Sequence, residues 1–490
     1  MPVLVRRAWA LALIAAMAVV PAACRDRSEG TAKVDVIGSE PALHDPALGP
    51  LSAADAVLLA NVGQGLVRFD AAGNIVAGLA ERWNVSDDGL SYIFRLATVD
   101  LPNRRKLTAQ QVARVLKRSL AAASANPLKD TLGAVDDIVA MTDRVIEIRL
   151  NAPRPNLLAL LAQPEFGIVR DGYGTGPFQL APDRGPDDAL HLTREIDSLD
   201  DDTNRREEIL LKGTSTEQAV RTFAAGDTDL VLGGTFADLP FALAVKLPRA
   251  ALRFDPASGL FGLVPTRRGG ILDDADVRRL LSQAIDRDAL TEALRVPGLV
   301  ARATVLEPAL EGVPDPTPPG WLATPIAARR ITLTAEATRL FGSEKPTVRV
   351  YLPEGTGADV LFNRLVADWG AIGLTAERAK TVAGADLKLV DAVAPSVSPA
   401  WFLRQFRCQV APVCDPDSDK LLDAARDTLI AAQRGALMAQ AAARIDDAQL
   451  FMPLAAPVRW SLVSGRIQGF VGNRFARHTL TDLDQKPVGG

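Results

Sequence analysis

Residues 61–96 contain two successive strand-and-turn patterns, and no other stretch restricts the fold of this chain as strongly. In the first pattern Val67 and Phe69 alternate with polar neighbours, a turn-rich segment follows, and Ile75–Ala77 is apolar again, which predicts a hairpin. In the second pattern Asp87-Asp88-Gly89 predicts a tight turn. The strand after that turn carries its apolar residues on one face, which we expect to be buried: Leu90, Tyr92, Phe94 and Leu96.

The order of Gly, Trp and Asp-Gly in this stretch is specific to one protein family. Gly65-Leu66-Val67 precedes Gly78-Leu79-Ala80-Glu81-x-Trp83, and Ser86-x-Asp88-Gly89-Leu90-x-Tyr92-x-Phe94 comes next. This succession resembles the signature of family 5 extracellular solute-binding proteins of ABC transporters, the dipeptide, oligopeptide and nickel-binding type. The resemblance implies an α/β fold, namely a two-lobed periplasmic binding protein of class II type with an additional subdomain in the first lobe.

Further segments extend the resemblance over nearly all of the mature chain. They occur in the order expected for the family: Leu107-Thr108-Ala109-x-x-Val112, Gly174-Thr175-Gly176-Pro177-Phe178, Ile271–Leu290, Met452-Pro453-Leu454 with Trp460, and Ile467-x-Gly469-Phe470. Arg278 and Arg279 of the third segment lie on a regular helical pattern, so we interpret them as structural charges; anion binding is the alternative.

The chain has 490 residues, 48% of them apolar, which is enough for at least two hydrophobic cores. The resemblance places lobe I at 34–56, 174–262 and 455–490, the additional subdomain at 57–173, and lobe II at 263–454. The chain is expected to pass between the lobes near Leu260–Val264 and again near Leu454–Trp460.

Lobe II contains the pattern of a βαβ unit. A strand pattern at 347–352, a helical repeat of apolar residues at 358–369 and a second strand pattern at 386–390 predict a parallel-sheet α/β lobe. Such a sheet binds ligands at the carboxyl ends of its strands. Trp369 lies on the apolar face of the helix, which indicates packing in the core.

Composition excludes several classes of partner. The net charge is −4 and the Lys and Arg residues are scattered, so neither a nucleic acid nor an acidic membrane surface is an expected partner. Only 3 His and 3 Cys occur, without zinc-site spacing, and we expect no metal site and no cofactor. The glycine-rich segment 172–178 is not a phosphate loop, because no Gly-Lys-Ser/Thr follows and Pro177 would break the required helix.

The N-terminus predicts export. Arg6 and Arg7 precede an apolar run at 8–20 that is too short to span a membrane, and residues 1–23 fit a signal peptide. Pro21-Ala22-Ala23-Cys24 resembles the cleavage box of bacterial lipoproteins, which implies lipidation of Cys24, a polar tether at 24–33 and a periplasmic or cell-envelope location. Pro21 stands where that box usually has Leu, so cleavage near the same alanines without lipidation is the alternative.

The two remaining cysteines predict a disulfide. In an oxidising envelope Cys408 and Cys414 can close a short loop that contains Pro412. A ring of this size is expected to stabilise the fold by about 2 kcal/mol. A redox role is the alternative, but the spacing is not Cys-x-x-Cys and no basic residue activates either thiol.

The resemblance also indicates the ligand-binding residues. Gly174, Thr175 and Gly176 lie near the cleft in relatives, where they either contact ligand through their backbone or form a purely structural turn. In peptide-binding relatives an acidic loop before an aromatic-Leu pair holds the α-ammonium of the peptide. This chain has the sequence PSVSPAWFL there, at 395–403, with no acid between Asp391 and Asp415.

This difference predicts the class of solute. We expect ordinary free-amino dipeptides and tripeptides to bind poorly, and a solute without a free α-ammonium to stack on Trp401 and to hydrogen bond with Ser396 and Ser398. The alternative is that Asp391 or Asp415 folds into the cleft and restores the ammonium site.

The function predicted from the sequence is capture of a peptide-like or other small polar solute, without catalysis, by a monomer that delivers it to a membrane permease. No nucleotide-binding motif occurs, so ATP hydrolysis is expected on separate ATPase subunits. An exported hydrolase is one alternative, although His44, His191 and His478 each lack a nearby nucleophile motif. A receptor or chaperone that uses the same fold without a transporter is another.

Overall fold

The structure is a computed structural model, and it describes residues 30–99, 106–170, 173–196, 205–481 and 483–485. The predicted signal peptide, Cys24 and most of the predicted tether lie outside the described residues. Across the described ranges, every helix is too short or too polar to cross a membrane.

The described residues form strands and helices throughout the chain. The strands are β1 Thr31–Ile37, β2 Val67–Phe69, β3 Ile75–Ala77, β4 Ala80–Val85, β5 Ser91–Leu96, β6 Val135–Thr142, β7 Val145–Leu150, β8 Val169–Arg170, β9 Tyr173–Gly174, β10 Gln179–Arg184, β11 Leu190–Ile196, β12 Arg205–Thr214, β13 Leu230–Thr235, β14 Leu252–Phe254, β15 Gly259–Pro265, β16 Thr347–Tyr351, β17 Thr375–Arg378, β18 Leu387–Val393, β19 Met452–Ala455, β20 Arg459–Val463, β21 Ile467–Gln468 and β22 Asp484–Gln485. The helices are α1 Ala53–Val62, α2 Ala109–Leu120, α3 Leu157–Leu161, α4 Thr216–Ala225, α5 Leu239–Ala244, α6 Ala275–Ala284, α7 Arg287–Leu294, α8 Ile326–Phe341, α9 Thr356–Gly370, α10 Pro399–Arg404, α11 Pro416–Asp427 and α12 Ala431–Asp447.

Three larger sheets organise these elements. A seven-stranded sheet has the order β10-β11-β12-β1-β13-β20-β14, a four-stranded sheet has the order β4-β5-β7-β6, and a five-stranded sheet has the order β17-β16-β18-β15-β19. We call the elements around the first sheet lobe I, those around the second the subdomain, and those around the third lobe II. Sheets and helices thus form two lobes and a subdomain. This confirms the predicted α/β two-lobed fold class.

The subdomain contains the stretch that most restricts the fold. β2 and β3 pair as the predicted hairpin, and β5 pairs with β4 and β7. Tyr92, Phe94 and Leu96 are buried, as the alternation predicts, whereas Leu90 precedes β5 and is half-buried. The N-terminal cap of α2 also follows the sequence pattern, since the Gln111 side-chain oxygen accepts a hydrogen bond from the backbone N of Thr108 at 3.0 Å.

Lobe II differs from the predicted parallel sheet. β16 is parallel to β17 and β18, but β15 and β19 are antiparallel to their neighbours, so the sheet is mixed. The prediction also missed β17, an edge strand whose residues are mostly exposed and which therefore lacks an apolar pattern. Trp369 is fully buried, and its indole N donates to the backbone O of Leu281 at 3.0 Å, which confirms its packing role.

The chain passes between the two lobes through two short connections. β14 of lobe I ends at Phe254 and β15 of lobe II begins at Gly259; on the return, β19 ends at Ala455 and β20 begins at Arg459. The predicted crossing strand Leu260–Val264 lies inside β15, which pairs only with lobe II strands among the described residues. The first passage between the lobes is therefore at 255–258, because β15 pairs with strands of lobe II. The apolar sequence of β15 does not specify these partner strands.

The arginines of α6 have structural contacts. Arg278 is buried and donates to the backbone O of Leu272 at 2.7 Å and of Ala448 at 2.8 Å. Burial lowers its pKa. Arg279 forms an ion pair with Asp276 of the same helix. These contacts agree with the structural interpretation of both residues.

Candidate functional site

One wall of the candidate site is the carboxyl edge of the lobe I sheet. β1 is parallel to β12 and β13, so the ends of these strands meet at one edge. Thr235 at the end of β13 pairs with Arg459, which directly follows the connection at 456–458. This edge therefore faces lobe II.

The opposite wall is the carboxyl end of β18. Its last residue, Val393, pairs with Gly259, which directly follows the connection at 255–258. The loop after β18, residues 394–398, thus faces lobe I, and we call it the cleft loop. The two sheets present their carboxyl edges to each other across a cleft, which is the usual place for a ligand in open α/β sheets.

The cleft loop contacts both the connection and the subdomain. Ala394 N donates to Ser258 O at 2.8 Å. The Gln163 side-chain amide donates to Pro395 O at 2.8 Å, although the two residues are 232 positions apart. Ser396 is buried and Ser398 is half-buried at the N-terminus of α10. The structure therefore places both predicted serines at the junction of lobe II, the connection and the subdomain.

Trp401 lies in the first turns of α10, with its side chain packed inside lobe II. It is 8% exposed and meets Phe402 edge-on, with the ring centroids 5.1 Å apart. Its remaining surface lines a pocket of about 180 Å³ between β15, β18 and the segment 410–413. Cys408 and Cys414, which flank this segment, are joined by a disulfide. The structure thus leaves only a small part of the Trp401 surface open, and that part faces this pocket.

The glycine segment packs against α1. A Cβ on Gly174 would lie 1.7 Å from Val62 O, and one on Gly176 would lie 2.3 Å from Asn61 O. Thr175 is buried, and its backbone O accepts a hydrogen bond from the Gln64 side chain at 2.6 Å. The close approach of the α1 backbone therefore explains why both positions are glycine. This is the purely structural role that Sequence analysis gave as the alternative to ligand contact.

The two acids that flank the loop sequence already have cationic partners. Arg459 Nη1 lies 2.8 Å and 3.1 Å from the two carboxylate oxygens of Asp391. This ion pair joins lobe I to lobe II. Burial raises the pKa of Asp391, and the charge of Arg459 opposes that rise. Asp415 caps α11 and pairs with Arg444 at 2.6 Å, and these hydrogen bonds lower its pKa. Restoration of an ammonium site by either acid would require breaking these contacts.

A polar network that the sequence did not reveal connects the subdomain to the C-terminal segment. Arg477 donates to the Gln163 side chain at 3.1 Å and to Glu165 at 2.8 Å, while Gln163 holds the cleft loop. Arg477 and Gln163 also line a pocket of about 100 Å³ between lobe I and the subdomain. No local pattern marks these residues, because they come together only through the fold.

The histidines lie beside carboxylates. His44 is 3.9 Å from Asp55, His191 is 3.3 Å from Asp183, and His478 is 3.2 Å from Asp255. Within the described ranges, no group of three or more His, Cys, Asp or Glu side chains is arranged to hold a metal ion.

Two lobes that face each other at their carboxyl edges, joined by two short connections, define the class of two-lobed solute-binding proteins. Residues 74–392, more than half of the chain, match the family described as "Bacterial extracellular solute-binding proteins, family 5 Middle". The chain belongs to this family, as the sequence signature predicts.

Individual proteins are similar to this chain in sequence or in fold. The "Probable di/tripeptide-binding protein 5" of Pseudomonas aeruginosa (strain UCBPP-PA14) is 26% identical over 484 residues, covering 86% of this chain and 89% of that protein. The Escherichia coli murein tripeptide binding protein MppA matches with a TM-score of 0.79 at 17% identity, covering 94% of this chain and 99% of that chain. The unliganded open form of MppA gives 0.68 at 17% identity, with coverage of 94% and 98%. AgaA from A. tumefacien R10, in complex with agropinic acid, gives 0.70 at 17% identity, with coverage of 94% and 99%.

Proposed function

We propose that this protein is the substrate-binding component of an ABC transporter that captures a peptide-like or other small polar solute between lobe I and lobe II. It then delivers the solute to a membrane permease that is driven by separate ATPase subunits. The observation that carries the proposal is the cleft between two facing carboxyl edges, joined at 255–258 and 456–458. We place the divisions between the lobes within these connections.

The chemistry of the cleft loop supports a solute without a free α-ammonium. The loop contains no carboxylate, and the flanking acids Asp391 and Asp415 are paired with arginines. We assign solute contacts to Ser396, Ser398 and the pocket side of Trp401. For Gly174, Thr175 and Gly176 we propose a role in shaping the cleft wall, because their contacts are with α1 and Gln64.

The names of the relatives support a peptide-like solute. MppA is a murein tripeptide binding protein and the Pseudomonas relative is a probable di/tripeptide-binding protein. Export by a signal peptide, a lipid anchor on Cys24 and a monomeric state complete the proposal. We infer that the protein performs no catalysis, since its family consists of solute-binding proteins.

A thermal-shift and calorimetry series tests this function with Ala-Ala, its N-acetylated form and maltose as probes. A ligand at 100 times its Kd stabilises the fold by about 2.7 kcal/mol, which raises Tm. We expect N-acetyl-Ala-Ala to bind and Ala-Ala to bind roughly 30-fold to 4000-fold more weakly, because an uncompensated buried charge costs about 2–5 kcal/mol. Micromolar binding of unmodified Ala-Ala would contradict the proposed solute class. Turnover of a probe would contradict the proposed role itself.

A further inference from the structure

The pocket that Trp401 lines lies on the α10 side of the lobe II sheet. Val390 and Ala392 of β18 pack against a core built from residues of α10, α11 and α12. Leu389, which points to the other face of the strand, packs against a different core. Every described residue that lines this pocket belongs to lobe II, and we call it the Trp401 pocket.

One end of the Trp401 pocket lies at the edge of the cleft. Ala392 and Leu260 line the pocket and pair with each other in the sheet, next to the carboxyl end of β18. Lys388 and Val264, which also pair, line it four residues further along the strands, a distance of about 13 Å. The pocket therefore extends from the cleft edge into lobe II.

The start of α10 joins the pocket to the cleft loop. Ser398 is the last residue of the cleft loop and the N-cap residue of α10. Its backbone O accepts a hydrogen bond from Trp401 N at 3.1 Å. The loop on which we place solute contacts and the ring that lines the pocket are thus one helical turn apart.

A cross-linked segment lines another side of the pocket. Residues 410–413 lie between Cys408 and Cys414, which form the disulfide. Arg268, which follows β15, donates a hydrogen bond to Pro412 O. These two links hold the segment against the lobe II sheet.

The lining of the Trp401 pocket is apolar. None of the described residues that form it is acidic, and only Lys388 and Gln405 have a charged or amide side chain. The Gln405 amide donates within α10, to Trp401 O at 3.4 Å. A peptide or sugar group placed there would lose its hydrogen bonds with water, whereas an alkyl chain gains by leaving water.

The volume of the pocket limits the size of its occupant. An apolar cavity of about 150 Å³ binds benzene, which has six carbons. The Trp401 pocket has a volume of about 180 Å³. It therefore suits an apolar group of about six carbons.

We propose that the Trp401 pocket receives an aliphatic acyl chain, of about six carbons, on the amino end of the captured solute. This inference rests on the proposed function and specifies the solute as an N-acylated one. The cleft loop has no carboxylate to hold an ammonium group, and the apolar pocket lies one helical turn from that loop. An acylated nitrogen needs no carboxylate and carries the chain that the pocket accepts.

Calorimetry with an acyl series tests the inference. The probes are N-acetyl-Ala-Ala, N-hexanoyl-Ala-Ala and N-decanoyl-Ala-Ala. Each methylene withdrawn from water strengthens binding about threefold to fourfold, so the hexanoyl compound should bind roughly 100-fold more tightly than the acetyl compound. The decanoyl chain exceeds the pocket and should bind no more tightly than the hexanoyl chain. Equal affinities, or a steady rise through decanoyl, would overturn the inference.

Two variants with matched controls locate the chain. A392L fills the cleft end of the pocket and should lower the ratio of hexanoyl to acetyl affinity by at least about tenfold. V390T places a hydroxyl in the apolar wall and should lower that ratio about fivefold. The controls A400L in α10 and V366T in α9 make the same changes outside the lining and should keep the ratio. A ratio that neither A392L nor V390T lowers would overturn the inference.

The remaining outcomes separate this inference from the proposed function. If hexanoate alone binds as tightly as N-hexanoyl-Ala-Ala, the pocket is a separate site for free acids and its assignment to the solute is wrong. If the acetyl and hexanoyl compounds bind alike, solute capture stands and the inference is wrong. If no acyl compound, free dipeptide or maltose binds, solute capture itself fails and the inference fails with it.

Discussion

Asp446 of α12 is a carboxyl group that folding withdraws from water. Burial raises its pKa to about 8, and the hydrogen bond that Val305 N donates to it at 2.8 Å offsets only part of that effect. A carboxylic acid in water titrates near 3.9. At neutral pH the folded protein therefore holds this group mostly protonated, while the unfolded chain has it ionised.

The raised pKa predicts a direction for the pH dependence of stability. The folded state binds the proton more strongly, so the contribution of Asp446 is fully present below about pH 4 and is lost as pH rises to about 8. D446N removes this titration, and its free energy of unfolding should decline less between pH 5 and pH 8. Urea unfolding at both pH values measures the difference. D87N, at an exposed turn position, is the control, and parallel curves for D446N and the unmodified chain would contradict the prediction.

Arg287 is a buried cation that joins separate segments of lobe II. It donates to Ser282 O at 2.7 Å, to Pro453 O at 2.7 Å and to Arg302 O at 3.0 Å, and its guanidinium lies 5.2 Å from the Trp321 ring. Burial lowers its pKa to about 9. Its hydrogen bonds satisfy backbone carbonyls next to the second connection between the lobes.

Replacement of Arg287 should therefore destabilise lobe II. We expect R287M to lower the free energy of unfolding by about 3–5 kcal/mol, because several buried carbonyls lose their donor at once. R339M, at an exposed position, serves as the control and should change stability by less than about 0.5 kcal/mol. Chemical denaturation measures both. A loss below about 1 kcal/mol for R287M would show that water replaces these contacts without cost.

At the scale of elements, the glycine segment and α1 form one packing unit. Gly176 N donates to Val62 O at 2.7 Å, and any side chain at Gly176 would overlap the backbone of α1. We expect G176A to cost about 1–3 kcal/mol of stability, as overpacking does. G49A is the matched control, since a Cβ at Gly49 meets nothing within 4 Å. Loss of solute binding by G176A at unchanged Tm would instead favour direct ligand contact by this segment.

The disulfide closes the segment that covers the Trp401 pocket. Val410 and Pro412 line that pocket, and both lie between Cys408 and Cys414. The double variant C408S/C414S should lose about 2 kcal/mol of stability through the larger entropy of its unfolded chain. Trp401 should also become more accessible to a quencher of tryptophan fluorescence. Unchanged stability and unchanged quenching would show that the packing of the segment does not depend on the disulfide.

At the scale of the whole molecule, we expect lobe I and lobe II to close about the connections at 255–258 and 456–458. Asp391 of lobe II pairs with Arg459 of lobe I, and Gly357 N of α9 donates to Ala237 O of lobe I at 3.0 Å. A ligand that binds such a closed form more tightly shifts the population towards it.

Small-angle scattering measures that shift. The unliganded protein should have a radius of gyration larger than the value calculated from this structure, and a saturating solute identified by the titrations above should reduce it. The variant R339Q, which removes an exposed arginine of α8 that pairs with Glu336, serves as a control and should show the same reduction. An unchanged radius of gyration at saturation would rule out capture by closure.

Much of the fold could be predicted because its signals are local. The β2–β3 hairpin and the apolar face of β5 depend on neighbouring residues only. β17 escaped prediction because an edge strand with mostly exposed residues has no apolar alternation. The candidate site was predictable only in part: the cleft loop follows from the family motif, whereas Gln163 and Arg477 carry no motif.

The sequence by itself determined the family, the secondary structure of the strongly patterned segments and the absence of an acid from the cleft loop, since all of these depend on residues close together in the chain. The tertiary structure alone decided which sheet β15 joins, which arginine pairs with Asp391, and that Gln163 of the subdomain donates to the cleft loop. These relations join residues far apart in sequence. Their free energy comes from burial and pairing across the folded molecule, which no local pattern records.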